Sequence, residues 1–362
     1  MKILFFSRRF WPSIGGVEKH VLQLSMELIQ KGNKVTVVTE SHDASSKCKV
    51  QSAKLPGINI YRIPITRGER LKKFQIWKWL WKNRELIKEA DIVHCHDVFF
   101  WYLPFRFLYP KKKVFTTFHG YEGSEPPTWK KILSHKLAGW LSNGSIVIGD
   151  FHRKWYGVKS EAVSYGAAEK GSLDSATHQH QKVHSFARND KCHFCFVGRL
   201  AKDTGIMIYL EALKILKKKG ISYRLVVCGE GPRMDEAIEF SKKHGLNVEF
   251  EGFVRDVEKY LKQSKFVFVS RYLGILEAMI NKKLVFAVYD SPIKEDYLKM
   301  SPFSKWIVIE SDPKELAKKV KFYFENPLEE KKLIEEAYNW AREQTWEKLT
   351  KNYLELWVIP EV

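Results

Sequence analysis

Two glycines and a histidine follow predicted strands in the N-terminal half, where they could contact a bound phosphate. Gly15 and Gly16 lie between a short apolar run, residues 2–6, and an amphipathic helix. Glycine lets the backbone approach a ligand, and the start of a helix offers unpaired N–H groups that suit a diphosphate. The same pair can also form a simple tight turn. His119 follows the predicted strand 114–118 and can bond a phosphate, a sugar hydroxyl or nearby backbone.

The C-terminal half has similar residues after its own predicted strands. Arg199 directly follows the first strand of that half, where arginine suits bidentate phosphate binding or a surface salt bridge. Gly229, Glu230 and Gly231 follow the next strand and form either a plain turn or a backbone contact with a nucleotide. Glu277 lies where a helix is predicted to begin. Its carboxylate can accept two hydrogen bonds from ribose hydroxyls or can complement the helix N-terminus.

The elements that must position these residues alternate regularly along the chain. Short apolar runs, typical of buried strands, alternate with segments of helical periodicity. This alternation predicts an α/β protein with parallel sheets covered by helices on both faces. Two such series predict two Rossmann-like domains. Because ligands bind outside the carboxyl ends of such strands, we expect the two sheets to face a central cleft that holds the site.

The boundary between the two series is marked by a change in composition. We predict an N-terminal domain over residues 1–184, a C-terminal domain over 185–345, and a C-terminal helix, 346–362, that returns to the N-terminal domain. Residues 167–190 are polar and lack an apolar period, as expected of a linker. Linker histidines could bind a metal, but ordinary linker positions explain them better, and no metal site is predicted. They are His178, His180 and His184.

The order and spacing of these motifs resemble the retaining glycosyltransferases of family 4, which have the GT-B fold. The similarity extends from residue 1 to about 350 and rests on five segments in sequence. These are Gly15–Glu18, Phe118–Gly120, Val197–Leu200, Cys228–Pro232 and Leu276–Met279. Each segment is short, and their shared order carries the resemblance.

The resemblance implies a nucleotide-sugar donor, with no cofactor and no metal. It places Gly16 at the donor diphosphate, His119 at the transferred sugar, Arg199 at the diphosphate and Glu277 at the ribose. Positive groups would stabilise the departing diphosphate, with no covalent nucleophile. The donor-binding positions expected from it are Gly15, Gly16, Arg199, Lys202, Gly229, Glu230, Gly231, Leu276 and Glu277.

The chain departs from the family pattern at two positions. Thr204 stands where the family usually has a lysine that holds the diphosphate, and Lys202 is the nearby candidate to replace it. Val269 stands where the family usually has a glutamate that meets the donor sugar. The shortened loop after Val269 makes Arg271 or Tyr272 a candidate to line an altered donor site.

Composition restricts the cellular setting and the partners. The chain has five cysteines, an odd number that argues against a disulfide framework, and Cys195 of the Cys192-x-x-Cys195 pair is expected in a buried strand. The net charge is +19, and residues 1–185 contain 30 basic and 15 acidic residues. An anionic partner is therefore expected.

No secretory leader or apolar run long enough to span a membrane is visible, which predicts a cytoplasmic or peripheral protein.

A basic aromatic segment suggests which anionic partner this is. Residues 67–84 contain seven basic residues and one acidic residue, and aromatic and leucine side chains recur at helical spacing. Tryptophan and lysine on one helix suit a bilayer interface, although a core helix with a solvated basic face is the alternative. The aromatic and lysine residues of 99–113 extend the pattern. We expect attachment to the anionic cytoplasmic leaflet and a lipid-linked acceptor.

These observations favour transfer of a hexose-type sugar from a UDP- or GDP-sugar to a lipid-linked or glycan acceptor. A binding protein of the same fold, with reduced or no transferase activity, is the alternative that Thr204 and Val269 keep open. A nucleic-acid binder is disfavoured because no binding module is visible. A Rossmann dehydrogenase is disfavoured because the first strand lacks a following Gly-x-Gly-x-x-Gly turn.

Overall fold

The computed structural model describes residues 1–13, 15–41, 55, 57–65, 71–121, 125–168 and 192–358. The chain divides into two compact units. The first contains Met1–Tyr121, Pro127–Ser164 and the C-terminal segment from Trp346, and the second contains Tyr165–Thr345 and the short segment 122–126. The predicted linker lies outside the described residues except for Ala167 and Ala168, which are both buried. His178, His180 and His184 lie outside them as well.

The first unit is built on a seven-stranded parallel sheet with the strand order β3-β2-β1-β4-β5-β6-β7. Its strands are β1 Lys2–Ser7, β2 Lys34–Glu40, β3 Ile58–Ile63, β4 Ile92–His96, β5 Lys113–Phe118, β6 Ser145–Ile148 and β7 Ala162–Ser164. Its helices are α1 Gly16–Gln30, α2 Lys72–Lys82, α3 Glu85–Glu89, α4 Phe99–Leu108, α5 Trp129–Leu141, α6 Phe151–Tyr156 and the C-terminal α14 Trp346–Val358, which packs against α1.

The second unit is built on a six-stranded parallel sheet with the order β10-β9-β8-β11-β12-β13. Its strands are β8 Cys192–Val197, β9 Tyr223–Cys228, β10 Val248–Gly252, β11 Phe266–Phe268, β12 Leu284–Val288 and β13 Val308–Glu310. Its helices are α7 Ile206–Lys218, α8 Met234–Lys243, α9 Glu258–Gln263, α10 Tyr272–Ile280, α11 Pro292–Lys299, α12 Pro313–Glu325 and α13 Pro327–Ala341.

The two sheets confirm the predicted α/β class with two Rossmann-like units. Apolar strands and helix faces bury the core of each unit. In the second unit, phenylalanines on three adjacent strands stack through the sheet, with Phe194 and Phe268 ring centroids 4.7 Å apart. Because an apolar core fixes each strand end, the loops that follow the strands receive defined positions. None of the helices in the described ranges combines the length and apolarity that spanning a bilayer requires.

Three helix boundaries are set by local contacts. The helical spacing of residues 70–89 is divided into α2 and α3, because the Asn83 side chain bonds the Trp79 carbonyl and ends the first helix. Pro232 lies in a turn, and α8 starts at Met234. Glu277 is not at a helix start, because α10 already begins at Tyr272.

Candidate active site

The first helix begins at the carboxyl end of β1 with two exposed glycines. Gly15 is the N-cap of α1 and has no side chain to bond the free N–H groups of the first turn. Gly16 is the first helical residue. The first turn of a helix leaves N–H groups without intrahelical partners, and it carries the positive end of the helix dipole. The Glu18 carboxylate of the same turn folds back to Gly15, where an added Cβ would lie 2.5 Å from Glu18 Oε2. The contact of this turn with a diphosphate stays a prediction.

His119 follows β5 and is buried against a second histidine. Its Nε2 lies 2.8 Å from Nδ1 of His96, at the end of the adjacent strand β4. The Asp97 carboxylate accepts a hydrogen bond from the His119 backbone N–H at 2.8 Å and fixes the turn. Burial, followed by the charge of His20, lowers the pKa of His119 well below its usual value. A neutral His119 can donate one hydrogen bond but adds no positive charge at neutral pH.

His20 and His94 complete a histidine cluster, which we define as His20, His94, His96 and His119. All four side chains are buried. The rings of His20 and His119 meet edge to face, with centroids 4.7 Å apart. Burial lowers the pKa of both His20 and His94 to about 3. The cluster is therefore a set of neutral imidazoles, contributed by β4, the residue after β5 and helix α1.

A chain of buried hydrogen bonds holds the cluster. The indole Nε1–H of Trp357 can only donate, so Nδ1 of His94 accepts at 3.0 Å, and the neutral His94 carries its proton on Nε2. That proton is donated to the Thr117 hydroxyl oxygen at 2.7 Å. Thr117 Oγ1 lies 2.8 Å from Tyr353 Oη, which lies 2.9 Å from His20 Nε2. The donor-only indole thus determines the tautomer of His94.

This chain connects the C-terminal helix to the predicted site. Trp357 and Tyr353 belong to α14, His94 and Thr117 to adjacent strands, and His20 to α1. Each member is buried, so no member can be lost without leaving a buried polar atom unpaired. Helix α14 therefore does more than cover the sheet, because it orients the histidine that contacts His119.

In the second unit, Arg199 lies beside Asp203 and Arg271. The Arg199 guanidinium donates to the two Asp203 oxygens at 3.2 and 3.3 Å, and its side chain is 61% exposed. Arg271 forms an ion pair with the same carboxylate. We call Arg199, Asp203 and Arg271 the arginine cluster. Because β8 and β11 are adjacent, the loops that carry the two arginines meet at one sheet edge.

A buried lysine lies beneath this cluster. Lys294, on α11, is fully buried and donates to the Ser270 carbonyl oxygen. Burial, followed by the positive charge of Arg271, lowers the pKa of Lys294 well below its usual value. Lys294 therefore contributes less positive charge than an exposed lysine, and the accessible positive charge at this edge comes from the two arginines and Lys202.

Glycines in the loop after β9 are required by the neighbouring loop. A Cβ on Gly229 would lie 1.9 Å from the Gly198 carbonyl oxygen, and a Cβ on Gly231 would lie 2.4 Å from that of Leu200. The two loops also share a hydrogen bond from Leu200 N to Glu230 O, at 2.9 Å. This packing accounts for both glycines, whatever their contact with a nucleotide.

The remaining predicted donor residues differ in accessibility. Lys202 is exposed in a short 3-10 turn after Arg199, and Glu277 is half-buried within α10. Glu230 is exposed, and its carboxylate accepts from the Phe253 N–H at 3.1 Å. Leu276 is fully buried, so its side chain belongs to the core, and its contact with the donor stays a prediction.

The proposed membrane segments are only partly on the surface. Phe74 and Trp81 of α2 are exposed, whereas Leu80 is buried and the Trp77 indole donates to the Phe100 carbonyl oxygen at 2.9 Å. The four side chains therefore do not form one exposed face. Residues 67–70 lie outside the described chain. The aromatic run 99–105 is mostly core, with Trp101, Tyr102 and Phe105 buried, which corrects its assignment to a membrane surface.

Comparison with protein families assigns both halves of the chain. Residues 14–155 match the model described as Glycosyltransferase Family 4, and residues 178–340 match the model described as Glycosyl transferases group 1. This chain belongs to the family 4 glycosyltransferases. Its two Rossmann-like units are those of the GT-B fold.

Named relatives of this family 4 glycosyltransferase chain are distant. The phosphatidylinositol N-acetylglucosaminyltransferase gpi3 subunit of Schizosaccharomyces pombe is 23% identical over 268 residues, covering 68% of this chain and 55% of that protein. The alpha-monoglucosyldiacylglycerol synthase of Acholeplasma laidlawii is 26% identical, covering 71% of each. The chain spans about half the length of the first two curated relatives. The structure of sucrose-phosphate synthase from Thermosynechococcus elongatus has a TM-score of 0.73 at 15% identity, covering 98% of each chain.

The structure gives a physical account of the two departures from the family 4 pattern. Thr204 is buried, and its hydroxyl donates to the Arg199 carbonyl oxygen at 2.5 Å and accepts from Ala201 N at 3.2 Å. It therefore shapes the loop that carries Arg199. Val269 is buried, and Gly274 packs against it so closely that an added Cβ would lie 2.6 Å away. Both positions are structural in this chain.

The described residues form no visible centre for metal or redox chemistry. Within those ranges, no group of three or more His, Cys, Asp or Glu side chains is arranged to hold a metal. Cys195 is buried in β8, as predicted, with its sulfur 4.0 Å from that of Cys228 on β9. The hydrogen bond with Cys195, followed by burial, raises the pKa of Cys228, so the Cys228 thiol resists ionisation.

Several residues of these clusters escaped sequence reasoning. His20, His94, Tyr353 and Trp357 come from distant parts of the chain, and only their pairing in space reveals them. The sequence pattern could have identified His96 as a site residue, because His94 and His96 alternate at the polar end of a predicted strand. Such residues can share one face of the sheet, as these two do here.

Proposed function

We propose that this protein is a retaining glycosyltransferase that moves a hexose-type sugar from a UDP- or GDP-sugar to a lipid-linked acceptor. The observation that carries the proposal is the arginine cluster. Arg199 and Arg271 approach one carboxylate from two adjacent strand ends of the second unit, and Arg199 stands at the position that the resemblance assigns to the diphosphate. Asp203 keeps the two guanidinium groups together, and a diphosphate can engage their outward-facing donors.

The cluster also suggests how this chain manages without the usual lysine. Thr204 is committed to the loop, so it cannot supply a cation. Arg271 extends from the next strand and is accessible to about a third of its side-chain area. We assign Arg271 to the second positive charge on the diphosphate. A planar guanidinium that bonds two oxygens replaces a point charge, and donor binding remains electrostatic.

In the proposed reaction, the bond between the sugar anomeric carbon and the diphosphate oxygen breaks. The acceptor hydroxyl oxygen bonds to that carbon on the same face, and its proton leaves with the diphosphate. Arg199 and Arg271 stabilise the negative charge that develops on the departing group. His119, neutral and held by His96, is suited to donate a hydrogen bond to a sugar hydroxyl and not to act as a cation.

A lipid acceptor is proposed from two independent indications. The names of two relatives specify phosphatidylinositol and diacylglycerol lipids. The first unit also exposes Phe74 and Trp81 on α2, a helix with four lysines and no acidic residue. Peripheral attachment on the cytoplasmic face of a membrane is part of this proposal.

A binding protein without transferase activity is the second candidate. The buried Val269 favours it, because this position has no carboxylate for the donor sugar. In that case the arginine cluster would still hold a nucleotide-sugar, and turnover would be absent.

The deciding experiment measures nucleotide release from a panel of UDP- and GDP-sugars, with and without a polyprenyl- or phosphoinositide-type acceptor. Release from one donor should depend on the lipid. It should fall about 10- to 100-fold in Arg199→Ala and in Arg271→Ala, because each loses a charge-assisted hydrogen bond. Arg342→Ala removes an exposed arginine from the end of α13 and serves as the matched control.

Three other results would change the assignment. Tight nucleotide binding with no release from any donor would support the binding-only candidate. Unchanged release in Arg271→Ala would reject the role of Arg271 and leave the transferase assignment standing. No nucleotide binding at all would reject both candidates.

A further inference from the structure

Helix α5 leaves an apolar stripe on the outside of its unit. Its inward side combines small and polar residues with the half-buried Ile132 and Leu141. Ala138 is buried, Gly139 faces Val158, and the His135 ring stacks on Tyr156 with centroids 4.3 Å apart. A surface helix normally buries its apolar stripe and exposes polar side chains. Here the apolar stripe is the side left outside.

The exposed stripe consists of two tryptophans and two leucines. Trp129 is 69% exposed and Trp140 is 80% exposed, and both Leu133 and Leu137 are exposed between them. At 100° per residue, the four side chains fall within an arc of about 80°. The two indoles mark the ends of a stripe about 16 Å long. A contiguous apolar strip of this kind indicates an interaction surface.

The charge around the stripe has one sign. Helix α5 contains three lysines and no acidic residue, and Lys130 lies over the Trp129 ring, with Nζ 5.6 Å from the centroid. The neighbouring helices have the same composition: α4 contacts α5 and has one arginine, and α2 contacts α4 and has four lysines. Neither α2 nor α4 contains an aspartate or glutamate. This layer of three helices therefore repels cationic surfaces and attracts anionic ones.

We propose that the outward face of α5 docks the protein onto an anionic lipid bilayer. Tryptophan places its apolar ring and its N–H at the depth of the lipid headgroups, and lysine extends its charged end to the phosphates. A helix lying flat with aromatic and leucine side chains on one face and lysines beside them fits this surface. A protein partner would have to be both strongly acidic and apolar along the stripe.

The position of α5 connects docking to the candidate site. It begins ten residues after His119, in the connection that leaves the carboxyl end of β5. The Trp129 end therefore lies at the same sheet edge as His119, and the Trp140 end lies at the opposite edge. A bilayer against α5 would present its headgroups beside the edge where the proposed function has His119 bond a sugar hydroxyl. The inference deepens that proposal by naming the surface that brings the enzyme to its lipid.

Vesicle co-sedimentation tests the docking face without any chemistry. The full chain is mixed with vesicles of phosphatidylcholine alone, or of phosphatidylcholine with phosphatidylglycerol, at low and high salt. We expect binding to the anionic vesicles only, weakened by salt. The double variant Trp129→Ser/Trp140→Ser should lower the partition coefficient on the order of tenfold. Lys130→Gln/Lys136→Gln should lower it about 25-fold, or about fivefold for each lysine.

Leu328→Ser provides the matched control, because Leu328 is an apolar side chain with 82% exposure in the second unit. This variant should bind vesicles like the parent protein. All of the substituted side chains are exposed, so the thermal unfolding temperatures should agree and confirm intact folding. Undiminished binding of the double tryptophan variant would overturn the proposal. Self-association that the same variant abolishes, without vesicle binding by the parent, would assign the face to a second copy and would also overturn it.

The docking proposal and the proposed function can be rejected independently of each other. Sugar transfer to a short-chain, soluble acceptor needs no membrane. Transfer to that acceptor without vesicle binding would reject docking and leave the transferase assignment. Vesicle binding without transfer to any acceptor would reject the transferase assignment and leave the docking face.

Discussion

Replacement of His152 by phenylalanine should stabilise the protein more in mild acid than at neutral pH. His152 is fully buried on α6, with its ring centroid 4.2 Å from that of Phe151, and neither ring nitrogen has a hydrogen-bond partner among the described residues. Burial, followed by the charge of His135, lowers its pKa from 6.5 to about 3. The folded protein therefore holds this ring neutral where an unfolded chain would take up a proton.

The sign and size of this effect on the free energy of unfolding follow from proton linkage. Between pH 6.5 and pH 3 the unfolded state binds a proton at this position and the folded state does not, so stability is lost as the pH falls. For His152 the loss is about 0.1 kcal/mol at pH 7.5 and about 1.4 kcal/mol at pH 5.5. Phenylalanine cannot bind the proton. The His152→Phe variant should therefore gain about 1.3 kcal/mol more, relative to the parent, at pH 5.5 than at pH 7.5.

Urea unfolding monitored by tryptophan fluorescence measures this difference. Ten of the twelve tryptophans lie in the first unit, which contains His152. Any packing cost of the larger ring is the same at both pH values and cancels. Thr350→Val is the control. It removes a buried hydroxyl that has no hydrogen-bond partner among the described residues. Because this hydroxyl does not titrate, the effect of the substitution should not depend on pH. Equal effects of His152→Phe at the two pH values would refute the reasoning.

Further predictions concern the whole first unit and both clusters. Five buried histidines have lowered pKa values, so the unit should lose up to about 7 kcal/mol between pH 7.5 and 5.5 and unfold in mild acid, which circular dichroism would show. Tyr353→Phe breaks two buried hydrogen bonds and should cost about 2–3 kcal/mol in urea unfolding. Thr204→Lys should weaken nucleotide binding in calorimetry, because a buried hydroxyl that holds the loop is lost; tighter binding would contradict the structural role. Gly229→Ala should cost more than about 3 kcal/mol, since its Cβ meets a carbonyl oxygen, and an unchanged urea midpoint would disprove that contact.

The alternation of strands and helices was readable from sequence because each element buries its own apolar pattern. Strands such as β1 and β12 are continuous apolar runs, and α7 repeats its apolar residues at helical spacing. Turn residues follow local rules as well, and Gly32 has a positive φ directly after α1, as is common for glycine at the end of a helix. These features depend on neighbours in the chain, and the chain displays them directly.

The sequence also allowed candidate site residues to be predicted at strand ends, because the loops that follow parallel strands lie at one edge of the sheet. Gly16, His119 and Arg199 were selected on this basis. The partners that reach them from other strands were not predictable, because strand order brings Asp97 to His119 and Arg271 to Asp203. The roles of these residues in binding or transfer remain predictions.

The sequence was least informative about which apolar faces are covered in the folded protein. The aromatic run 99–105 and the α5 stripe both read as apolar, and composition cannot say which one is covered. Sequence by itself determined the secondary structure, the two α/β units and the loops that follow their strands, because those depend on local periodicity. Tertiary structure decided which aromatic residues are core, which histidines are neutral and which face of α5 is outside, because burial depends on what packs against each side chain.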